Sequence, residues 1–380
     1  MQSKIINRIL SEAGVPRLFP TLSQELSLSD LQSLLLSVYK SRVQAIDESQ
    51  VLTRMQQNAL FLASNIDARI FNDFDRTAFE CADGFEAVEL SPVCPLGAAF
   101  VLGRVDQDHV LTGLRNAEAL GDSTTAMALE CARRRKSSSG RQASPTIRLC
   151  SSHRLIRLQP INSPGLTPHF RLFALVSAGR DTGSHSFETQ HLGEHIRIYL
   201  TLLRALNTRG FAFRSPLVEI SDLTMTDALL TEAGATREQV RSMVRPHRPG
   251  SSQRFLQQRG IRLPDAIVNP RVELEDIAQR FGLGMQLIRL NLIKQRIIDP
   301  IQTEYPEACF RFNLARLEGL GYYTGLCLRI SPAAPDGSRH GIIDGGFTDW
   351  TARLLHDKKE RLLTSGIGSE FACRRFRESS

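Results

Sequence analysis

Residues 310–325, with the sequence FRFNLARLEGLGYYTG, constrain the fold more than any other stretch of this chain. Apolar residues at alternate positions predict a strand with one buried face, and they are Phe310, Phe312 and Leu314. Gly319 and Gly321 then allow a sharp bend, because glycine reaches backbone angles that other residues avoid. The bend ends at Tyr322 and Tyr323, whose rings and hydroxyls suit a small polar ligand. The alternative is an edge strand with two core tyrosines.

A second glycine-rich element follows the tyrosine pair. The sequence YYTG leads into an apolar strand and then into Gly345-Gly346-Phe347-Thr348-Asp349. This order resembles the histidine-binding region of histidyl-tRNA synthetase and of its paralogue that does not aminoacylate, the regulatory subunit of ATP phosphoribosyltransferase. The resemblance implies an α+β fold, in which a class II aminoacyl-tRNA synthetase-like antiparallel sheet is flanked by helices and carries an N-terminal helical extension and a helical insertion.

The composition is typical of a globular protein, since 42% of the 380 residues are hydrophobic and 23% are charged. No apolar run is long enough to span a bilayer and the N-terminus has no signal-peptide core, so we expect a cytoplasmic protein without membrane contact. The seven cysteines are scattered and form no C-x-x-C pair, which favours neither a disulfide framework nor a zinc site. The net charge of +7 suits anionic partners such as nucleotides, phosphorylated metabolites or RNA.

The sequence pattern divides the chain into four segments. Residues 1–80 have helical periodicity and form the N-terminal extension. Residues 81–235 contain the first part of the synthetase-like core, with the regions that resemble motifs 1 and 2. Residues 236–304 are polar and helical, as expected of the insertion, and residues 305–380 complete the core with the YYTG and motif 3 regions.

Residues 83–96, DGFEAVELSPVCPL, resemble motif 1 of class II synthetases, whose strand and proline form the dimer interface. The resemblance therefore implies a homodimer. In the family an arginine, an acidic residue and a threonine after motif 1 line the amino-acid site, and the longer spacing here leaves the acidic residue open between Glu118 and Asp122. The ligand-binding candidates implied by the resemblance are Arg115, Glu118, Asp122, Thr124, Glu188, Tyr322, Tyr323, Gly345 and Gly346.

Two further regions resemble the ATP-binding motifs of the family. Residues 168–195 are interpreted as strand, loop, strand and helix, the layout of motif 2, but Ser177-Ala178 stands where active enzymes have Arg-x-Glu, and Arg180 is the remaining cation. Residues 362–376 resemble motif 3, a strand and a glycine followed by a helix with an ATP-binding arginine. One register makes Arg375 that arginine. The other aligns residues 366–371 with the degenerate motif of the regulatory paralogue and leaves Arg375 as a surface charge.

Two other patterns are interpreted as structural. The sequence HLGEH at residues 191–195 matches an inverted zinc-protease signature, but it opens an ordinary amphipathic helix, so no metal site is expected. The basic, serine-rich segment at residues 133–141 is expected to be a solvated loop. Contact of this loop with phosphate or a nucleic acid is the alternative.

Ordinary histidyl-tRNA formation is not expected from this sequence. Active enzymes have an arginine ahead of the tyrosines, whereas Glu318 stands there in this chain and reverses the charge beside a developing phosphate. The sequence also ends shortly after motif 3, where the family's anticodon-binding domain would begin.

Two hypotheses follow for the function. The first is a regulatory paralogue that binds histidine or an analogue, needs no cofactor and acts on a phosphoribosyltransferase partner. The second is a divergent adenylate-forming ligase that uses ATP with Mg²⁺ and a non-standard acceptor. In the second case Arg180 and Arg375 would hold the ATP phosphates.

Overall fold

The chain forms an eight-stranded sheet and a separate three-stranded sheet in the computed structural model. The structure describes residues 4–137, 145–158, 167–243, 251–261, 284–314 and 316–378, together with residues 275–276, 279 and 282. In chain order the strands are β1 (Glu86–Ala87), β2 (Val93–Pro95), β3 (Thr112–Gly113), β4 (Ala117–Ala119), β5 (Ile147–Ile156), β6 (His169–Arg180), β7 (Arg214–Asp222), β8 (Cys309–Phe312), β9 (Tyr323–Ala333), β10 (Ile343–Thr348) and β11 (Glu360–Ile367).

The large sheet has the order β1-β5-β6-β11-β10-β9-β7-β8. Its central pairs, from β5 to β7, are antiparallel, and the two outer pairs, β1 with β5 and β7 with β8, are parallel. The small sheet has the order β2-β4-β3. The antiparallel centre places strands from distant parts of the sequence side by side, which is how residues near 175, 345 and 365 come to share one row.

Helices cover both faces of the large sheet. They are α1 (Lys4–Glu12), α2 (Leu18–Pro20), α3 (Leu28–Val43), α4 (Glu48–Gln57), α5 (Ala68–Cys81), α6 (Ala98–Gly103), α7 (Ser123–Ser137), α8 (Ser186–Asn207), α9 (Leu223–Glu232), α10 (Arg237–Met243), α11 (Ser251–Gln258), α12 (Gly284–Ile293), α13 (Asp299–Glu304), α14 (Trp350–Leu355) and α15 (Ser369–Arg375). Two π-helical turns, Thr21–Glu25 and Lys294–Ile298, join α2 to the following segment and α12 to α13. None of the helices in these described segments is both long enough and apolar enough to cross a membrane.

The strand registers define two faces of the large sheet. Face 1 contains the row Leu175, Ser365, Gly345, Leu328 and Ile220, and face 2 contains the row Ala174, Gly366, Asp344, Arg329 and Glu219. Helices α5, α8 and α15 bury their apolar residues in the main core on face 1. Helices α7 and α14 pack on part of face 2, against β5, β6 and β11. The remainder of face 2 carries glycine and polar residues, and it is there that the tyrosine pair lies.

Face 1 also contains a buried polar group. The imidazole of His195 on α8 makes hydrogen bonds to Ser177 Oγ at 3.0 Å and to Ser365 Oγ at 2.7 Å. The hydroxyl of Tyr199 lies 2.9 Å from the same Ser365 oxygen. Burial lowers the pKa of His195 well below its ordinary value, with smaller contributions from the charges of His191 and Arg148. His195 is therefore a neutral core residue that joins α8 to β6 and β11.

The expected α+β fold, with its antiparallel sheet flanked by helices, is confirmed. The predicted strand is present as β8, which contains Phe310 and Phe312, whereas Leu314 lies in the turn that follows; all three side chains are buried. The predicted strand, glycine and helix of the motif 3 region are present as β11, Gly368 and α15.

The interpretation of residues 168–195 as two strands joined by a loop is wrong. A single strand, β6, runs from His169 to Arg180 and is followed directly by α8. The antiparallel partner of β6 is β5, which precedes it in the sequence. The hairpin loop therefore spans residues 157–168, of which residues 159–166 lie outside the described part of the chain. Sequence periodicity missed this arrangement because β5 and β6 are both buried over most of their length and do not alternate.

The N-terminal and inserted segments also have a definite arrangement. Helices α1 to α4 contain no buried residue, whereas Phe71, Phe74 and Ala78 of α5 belong to the main core. The expected boundary at residue 80 therefore falls within a core helix. The insertion at residues 236–304 begins with α10 and α11 and ends with α12 and α13, and residues 244–250 and most of 262–283 lie outside the described residues.

Candidate functional site

The ring of Tyr323 lies between two glycines at the start of β9. A Cβ atom on Gly319, whose φ is +86°, would lie 2.8 Å from Tyr323 Cε2, and a Cβ atom on Gly346 would lie 2.8 Å from Tyr323 Cδ1. Neither position has space for a larger residue. Tyr323 is 5% exposed, and its hydroxyl donates a hydrogen bond to Asp344 Oδ2 at 3.1 Å. Tyr323 thus contributes to the site as a buried support.

An ion pair lies beside this tyrosine. Arg316 is 2% exposed and donates from Nη2 to Asp344 Oδ1 at 2.7 Å, and its guanidinium lies 5.6 Å from the centre of the Tyr323 ring. Its other hydrogen bonds reach the carbonyl oxygens of Glu318 and Leu328. Burial lowers the pKa of Arg316, but the charge of Asp344 outweighs it together with smaller contributions, so the net pKa is raised and the arginine stays charged.

The charge reversal expected at Glu318 is not found. The Glu318 side chain is 65% exposed and lies 3.9 Å from Arg329 Nη1. Arg316, two residues earlier, places a cation next to the tyrosines instead. The spacing of the residues before the glycines did not reveal this, because Arg316 is brought to the tyrosines by the fold of the bend.

Tyr322 is the less buried of the two tyrosines, and its ring packs between Tyr323 and Trp350. Its ring centre lies 4.3 Å from that of Tyr323 and 6.4 Å from that of Trp350, the only tryptophan in the chain. The pKa of Tyr322 is raised by burial, and then by the charges of Asp344 and Asp122, with Arg316 acting in the opposite direction. Both carboxylates are therefore close enough to act on the Tyr322 hydroxyl.

Asp122 and Thr124 lie at the start of α7. Asp122 Oδ1 accepts hydrogen bonds from the Thr124 amide at 2.8 Å and from its hydroxyl at 2.7 Å, which caps the helix. The other oxygen, Oδ2, accepts from Arg157 Nη2 at 3.1 Å, and Arg157 Nε donates to the Gly121 carbonyl at 2.7 Å. The Asp122 and Arg157 side chains remain 41% and 37% exposed, so both retain groups for a ligand.

Glu118 and Arg115 occupy a different part of the structure. Glu118 is fully buried in the small sheet, and its carboxylate accepts from the amides of Gly97 at 2.9 Å and Ala99 at 2.7 Å, at the start of α6. Arg115 is exposed in the turn between β3 and β4. Of the two acidic alternatives, the structure thus places Asp122, and not Glu118, near Tyr322.

Glu188 and Gly345 lie on face 1, opposite the tyrosines. Glu188 is on the first turn of α8 and accepts from Arg361 Nε at 3.1 Å. A Cβ atom on Gly345 would meet the side chain of Ser365, which lies in the same row of face 1. The structure therefore does not bring Glu188 or Gly345 together with Tyr322, although Gly346 does lie against the tyrosine pair.

The two arginines expected to hold ATP phosphate also lie apart from the tyrosines. Arg180 is at the end of β6 far from the hairpin loop, about 35 Å along a 12-residue strand, and it pairs with Asp357 at 2.6 Å. Arg375 is exposed on α15, and its charge makes a minor contribution to the pKa of Asp336, which is lowered mainly by hydrogen bonds from Ser338. The arginine that stands at the hairpin loop is Arg157.

The basic segment is partly helical. The cations at residues 133–135 are in α7, and each is paired with a carboxylate: Arg133 with Glu130, Arg134 with Glu86 and Glu130, and Arg135 with Glu360. Residues 138–141 of this segment lie outside the described residues. The three arginines are therefore engaged within the protein, which weakens the alternative of a nucleic-acid contact.

Three residues of the site were not identified from the sequence: Arg316, Asp344 and Trp350. Arg157 lies directly after the end of β5, beside the hairpin loop that was placed between the wrong strands. Asp344 directly precedes the Gly-Gly pair and Trp350 lies four positions after Gly346, so the glycine motif marks their neighbourhood. Arg316 can be recognised as a site residue only from its buried ion pair with Asp344, which the sequence does not indicate.

Comparison with known proteins supports the fold. No protein-family model matches this sequence, and no curated protein matches it. An ATP phosphoribosyltransferase regulatory subunit/histidyl-tRNA synthetase from Bacillus halodurans is similar in structure, with a TM-score of 0.57 and 14% identity over 83% of this chain and 82% of that chain.

Two other solved structures give the same result. A histidyl-tRNA synthetase from Nostoc sp. has a TM-score of 0.55 and 14% identity over 82% of this chain and 72% of that chain. A histidine-tRNA ligase subunit from Alicyclobacillus acidocaldarius has a TM-score of 0.59 and 15% identity over 82% of this chain and 94% of that chain. The chain therefore has the class II aminoacyl-tRNA synthetase-like fold that is found in histidyl-tRNA synthetase structures and in an ATP phosphoribosyltransferase regulatory subunit structure.

Proposed function

We propose that this protein binds a small amino-acid-like ligand, histidine or an analogue, on face 2 beside Tyr322 and that it does so in a regulatory role. One observation carries the proposal: the Tyr322 ring packs 4.3 Å from Tyr323, whose hydroxyl donates to Asp344, and the partly exposed guanidinium of Arg157 is bonded to Asp122. The charges of Asp344 and Asp122 both raise the pKa of Tyr322. An amino acid at neutral pH presents an ammonium and a carboxylate together, and this group of side chains offers a partner to each.

The chemistry of the individual groups fits such a ligand. Asp122 and the Tyr322 hydroxyl can accept hydrogen bonds from an ammonium or from an imidazole N–H, and Arg157 can donate to a carboxylate. The ring of Tyr322, supported by Tyr323 and Trp350, provides a flat wall for an aromatic side chain. Thr124, which is 8% exposed, contributes by holding Asp122 in place.

A regulatory role requires a protein that responds to the ligand. The similarity to an ATP phosphoribosyltransferase regulatory subunit structure favours a phosphoribosyltransferase as the partner. The proposal includes a cytoplasmic homodimer, as the resemblance of residues 83–96 to motif 1 and the sequence composition imply. Ligand binding would then change the activity of the partner only if the ligand has different affinity for the two states of the complex. On this proposal the protein needs no cofactor and no metal.

A divergent adenylate-forming ligase is the second candidate. The observation in its favour is that an arginine, Arg157, stands where the β5–β6 hairpin loop begins, so a cation is present for an ATP phosphate. Arg180 and Arg375 lie elsewhere and do not contribute to this alternative. A ligase of this kind would need ATP with Mg²⁺ and an acceptor other than a standard tRNA.

Isothermal titration with histidine, with ATP and with both tests the proposal. We expect histidine to bind, and Asp122→Asn to weaken it about 10- to 100-fold, because a hydrogen bond to a charged group is lost. The matched control is Asp357→Asn, since Asp357 is also a partly exposed aspartate paired with one arginine but lies at the Arg180 end of β6. Equal affinities of the two variants would argue against the proposed position of the ligand.

Amino-acid-dependent pyrophosphate exchange decides between the two candidates. The regulatory proposal predicts no exchange with any of the twenty amino acids in the presence of ATP and Mg²⁺. Exchange with one of them would refute a purely regulatory protein and establish the ligase. In that case Arg157→Ala should abolish exchange, whereas Arg180→Ala should not, because Arg180 is paired with Asp357 away from the tyrosines.

A further inference from the structure

The N-terminal helices are held to the rest of the protein by few buried contacts. Helices α1 to α4 contain no buried residue, and fifteen large apolar side chains between Ile5 and Leu62 are exposed. A segment with so little buried apolar surface opens at a lower free energy than the core does. Besides one hydrogen bond from Asn116 Nδ2 to Gln32 Oε1 of α3 at 3.2 Å, the hydrogen bonds at the end of this segment therefore contribute most to its attachment.

Those hydrogen bonds converge on Glu370 at the start of α15. Ser64 Oγ donates to Glu370 Oε1 at 2.6 Å, and Arg154 Nη1 on β5 donates to Oε2 at 2.9 Å. The amide of Arg171 on β6 donates to the same Oε2 at 3.1 Å. Glu370 is 3% exposed, so these bonds lie in a low-dielectric environment where an unpaired carboxylate is costly.

His169 provides a second attachment. Its Nε2 lies 2.7 Å from the carbonyl oxygen of Leu62, and its Nδ1 lies 2.9 Å from Arg154 Nη1. A guanidinium can only donate, so Nδ1 must be the acceptor and Nε2 must carry the proton that it donates to Leu62. The neutral ring with its proton on Nε2 is therefore the form that satisfies both bonds, and it connects the N-terminal segment to Arg154.

The same two strands position the arginine of the candidate site. Ile156 of β5 pairs with His169 of β6, and the next residue, Arg157, donates from its amide to the Pro168 carbonyl at 2.7 Å. The Arg157 side chain then holds Asp122 and the Gly121 carbonyl. A series of hydrogen bonds thus connects residues 62–64 with Glu370, Arg154 and His169, and the backbone of residues 168–169 continues it to Arg157 and Asp122.

We propose that the N-terminal helical extension controls the candidate ligand site through this hydrogen-bond series, with Glu370 and His169 as positioning residues for Arg157. When residues 62–64 are attached, β5 and β6 hold Arg157 against Asp122. When the extension is released, Glu370 and His169 lose partners and the end of the hairpin loosens, so Arg157 no longer has one fixed position. The effect on ligand affinity rests on the proposed function, whereas the connection itself does not.

Hydrogen exchange on the full chain tests the connection without any ligand. Ser64→Ala removes one donor to Glu370, and we expect about tenfold faster amide exchange in peptides that cover residues 60–66, 154–157 and 169–172. The matched control is Ser49→Ala, since Ser49 is an exposed serine of α4 whose hydroxyl bonds only to nearby Asp47. Faster exchange that stays within residues 60–66, or no change at all, would overturn the proposal.

A second variant and a titration complete the test. His169→Gln removes the ring that links Leu62 to Arg154, and it should produce the same pattern of faster exchange. Titration with L-histidine should then give at least threefold weaker binding for Ser64→Ala than for Ser49→Ala. Unchanged affinity would overturn the control of the site. Absence of histidine binding to the unmodified protein would count against the proposed function, and the exchange experiment would still decide the connection.

Discussion

Arg316 and Asp344 form an ion pair of 2.7 Å next to the tyrosine pair, and they come from the bend before β9 and from the start of β10. Arg316 is 2% exposed, whereas the Asp344 side chain keeps 40% of its surface. Asp344 is therefore held through both oxygens, by Arg316 at Oδ1 and by the Tyr323 hydroxyl at Oδ2, while part of its carboxylate stays exposed. This arrangement explains why a cation is present beside Tyr323 although Glu318 directly precedes the glycine bend.

Replacement of Arg316 by leucine should destabilise the protein by about 3 kcal/mol, because Asp344 is left without its buried partner. The measurement is the midpoint of urea unfolding, with the slope of the transition used to check that the native state is unchanged. Arg180→Leu is the control, since its pair with Asp357 is at the surface and should cost less than about 1 kcal/mol. Similar losses for the two variants would contradict the assignment of Arg316 as a buried support.

Gly319→Ala should lower the free energy of unfolding more than Gly337→Ala does. Both glycines have positive φ, +86° and +81°, so both substitutions carry a similar backbone strain. At Gly337 a new Cβ meets nothing within 4 Å, whereas at Gly319 it meets the Tyr323 ring. We expect an additional loss of about 1 to 3 kcal/mol for Gly319→Ala from this overlap, measured by urea unfolding.

The same comparison extends to ligand binding. Displacement of Tyr323 should also move Tyr322, since their ring centres are 4.3 Å apart. Gly319→Ala should therefore weaken histidine binding while Gly337→Ala leaves it unchanged. The fluorescence of Trp350, the only tryptophan, provides a direct signal from the site. If the Gly319→Ala protein gave an unaltered emission spectrum and affinity, the support role of Tyr323 would be refuted.

The stability of the protein should fall below pH 6.5 because of His195. Burial lowers the pKa of this imidazole in the folded state, so the unfolded chain binds a proton that the folded chain does not. The ordinary pKa of histidine is about 6.5, and above this pH the neutral His195 makes its full contribution to the free energy of unfolding. Below it, the contribution decreases by about 1.4 kcal/mol for each pH unit until the pKa of His195 in the folded protein is reached.

Urea unfolding between pH 8 and pH 5 measures this dependence. The free energy of unfolding of His195→Gln should depend less steeply on pH in this range, because the variant lacks the titrating imidazole. His185→Asn is the control, since His185 is exposed and has a positive φ that asparagine tolerates. The control should show the same pH dependence of the free energy of unfolding as the unmodified protein. If all three proteins showed the same pH dependence, groups other than His195 would be responsible for it.

Glu118→Gln should affect stability and not ligand binding. Its carboxylate accepts two amide hydrogen bonds at the start of α6, and loss of the charge should cost about 1 to 2 kcal/mol. Histidine affinity should remain within twofold of the unmodified protein, in contrast to Asp122→Asn. If the Glu118→Gln protein remained folded at the titration temperature but bound histidine more weakly, Glu118 would have to be assigned to the ligand site.

The sequence by itself determined the fold class and the position of the tyrosine pair. The alternation at Phe310, Phe312 and Leu314 specified a strand with one buried face, and the glycines around residues 319–321 and 345–346 specified close backbone approach. These are local signals, because strand periodicity and the space around a glycine depend on a few neighbouring residues. The structural similarity to histidyl-tRNA synthetases agrees with that reading of the sequence.

Only the tertiary structure decided which candidates stand together. Asp122 and Glu118 are four residues apart, yet one lies near Tyr322 and the other caps α6, because a turn between β4 and α7 separates them. Gly345 proved to lie on face 1, since successive residues of a strand alternate between the two faces of a sheet. Glu188 lies on the same side because α8 packs on face 1. Arg157 and Arg316 were found through their partners Asp122 and Asp344. Such pairs depend on strand register over long sequence separations, which no local pattern contains.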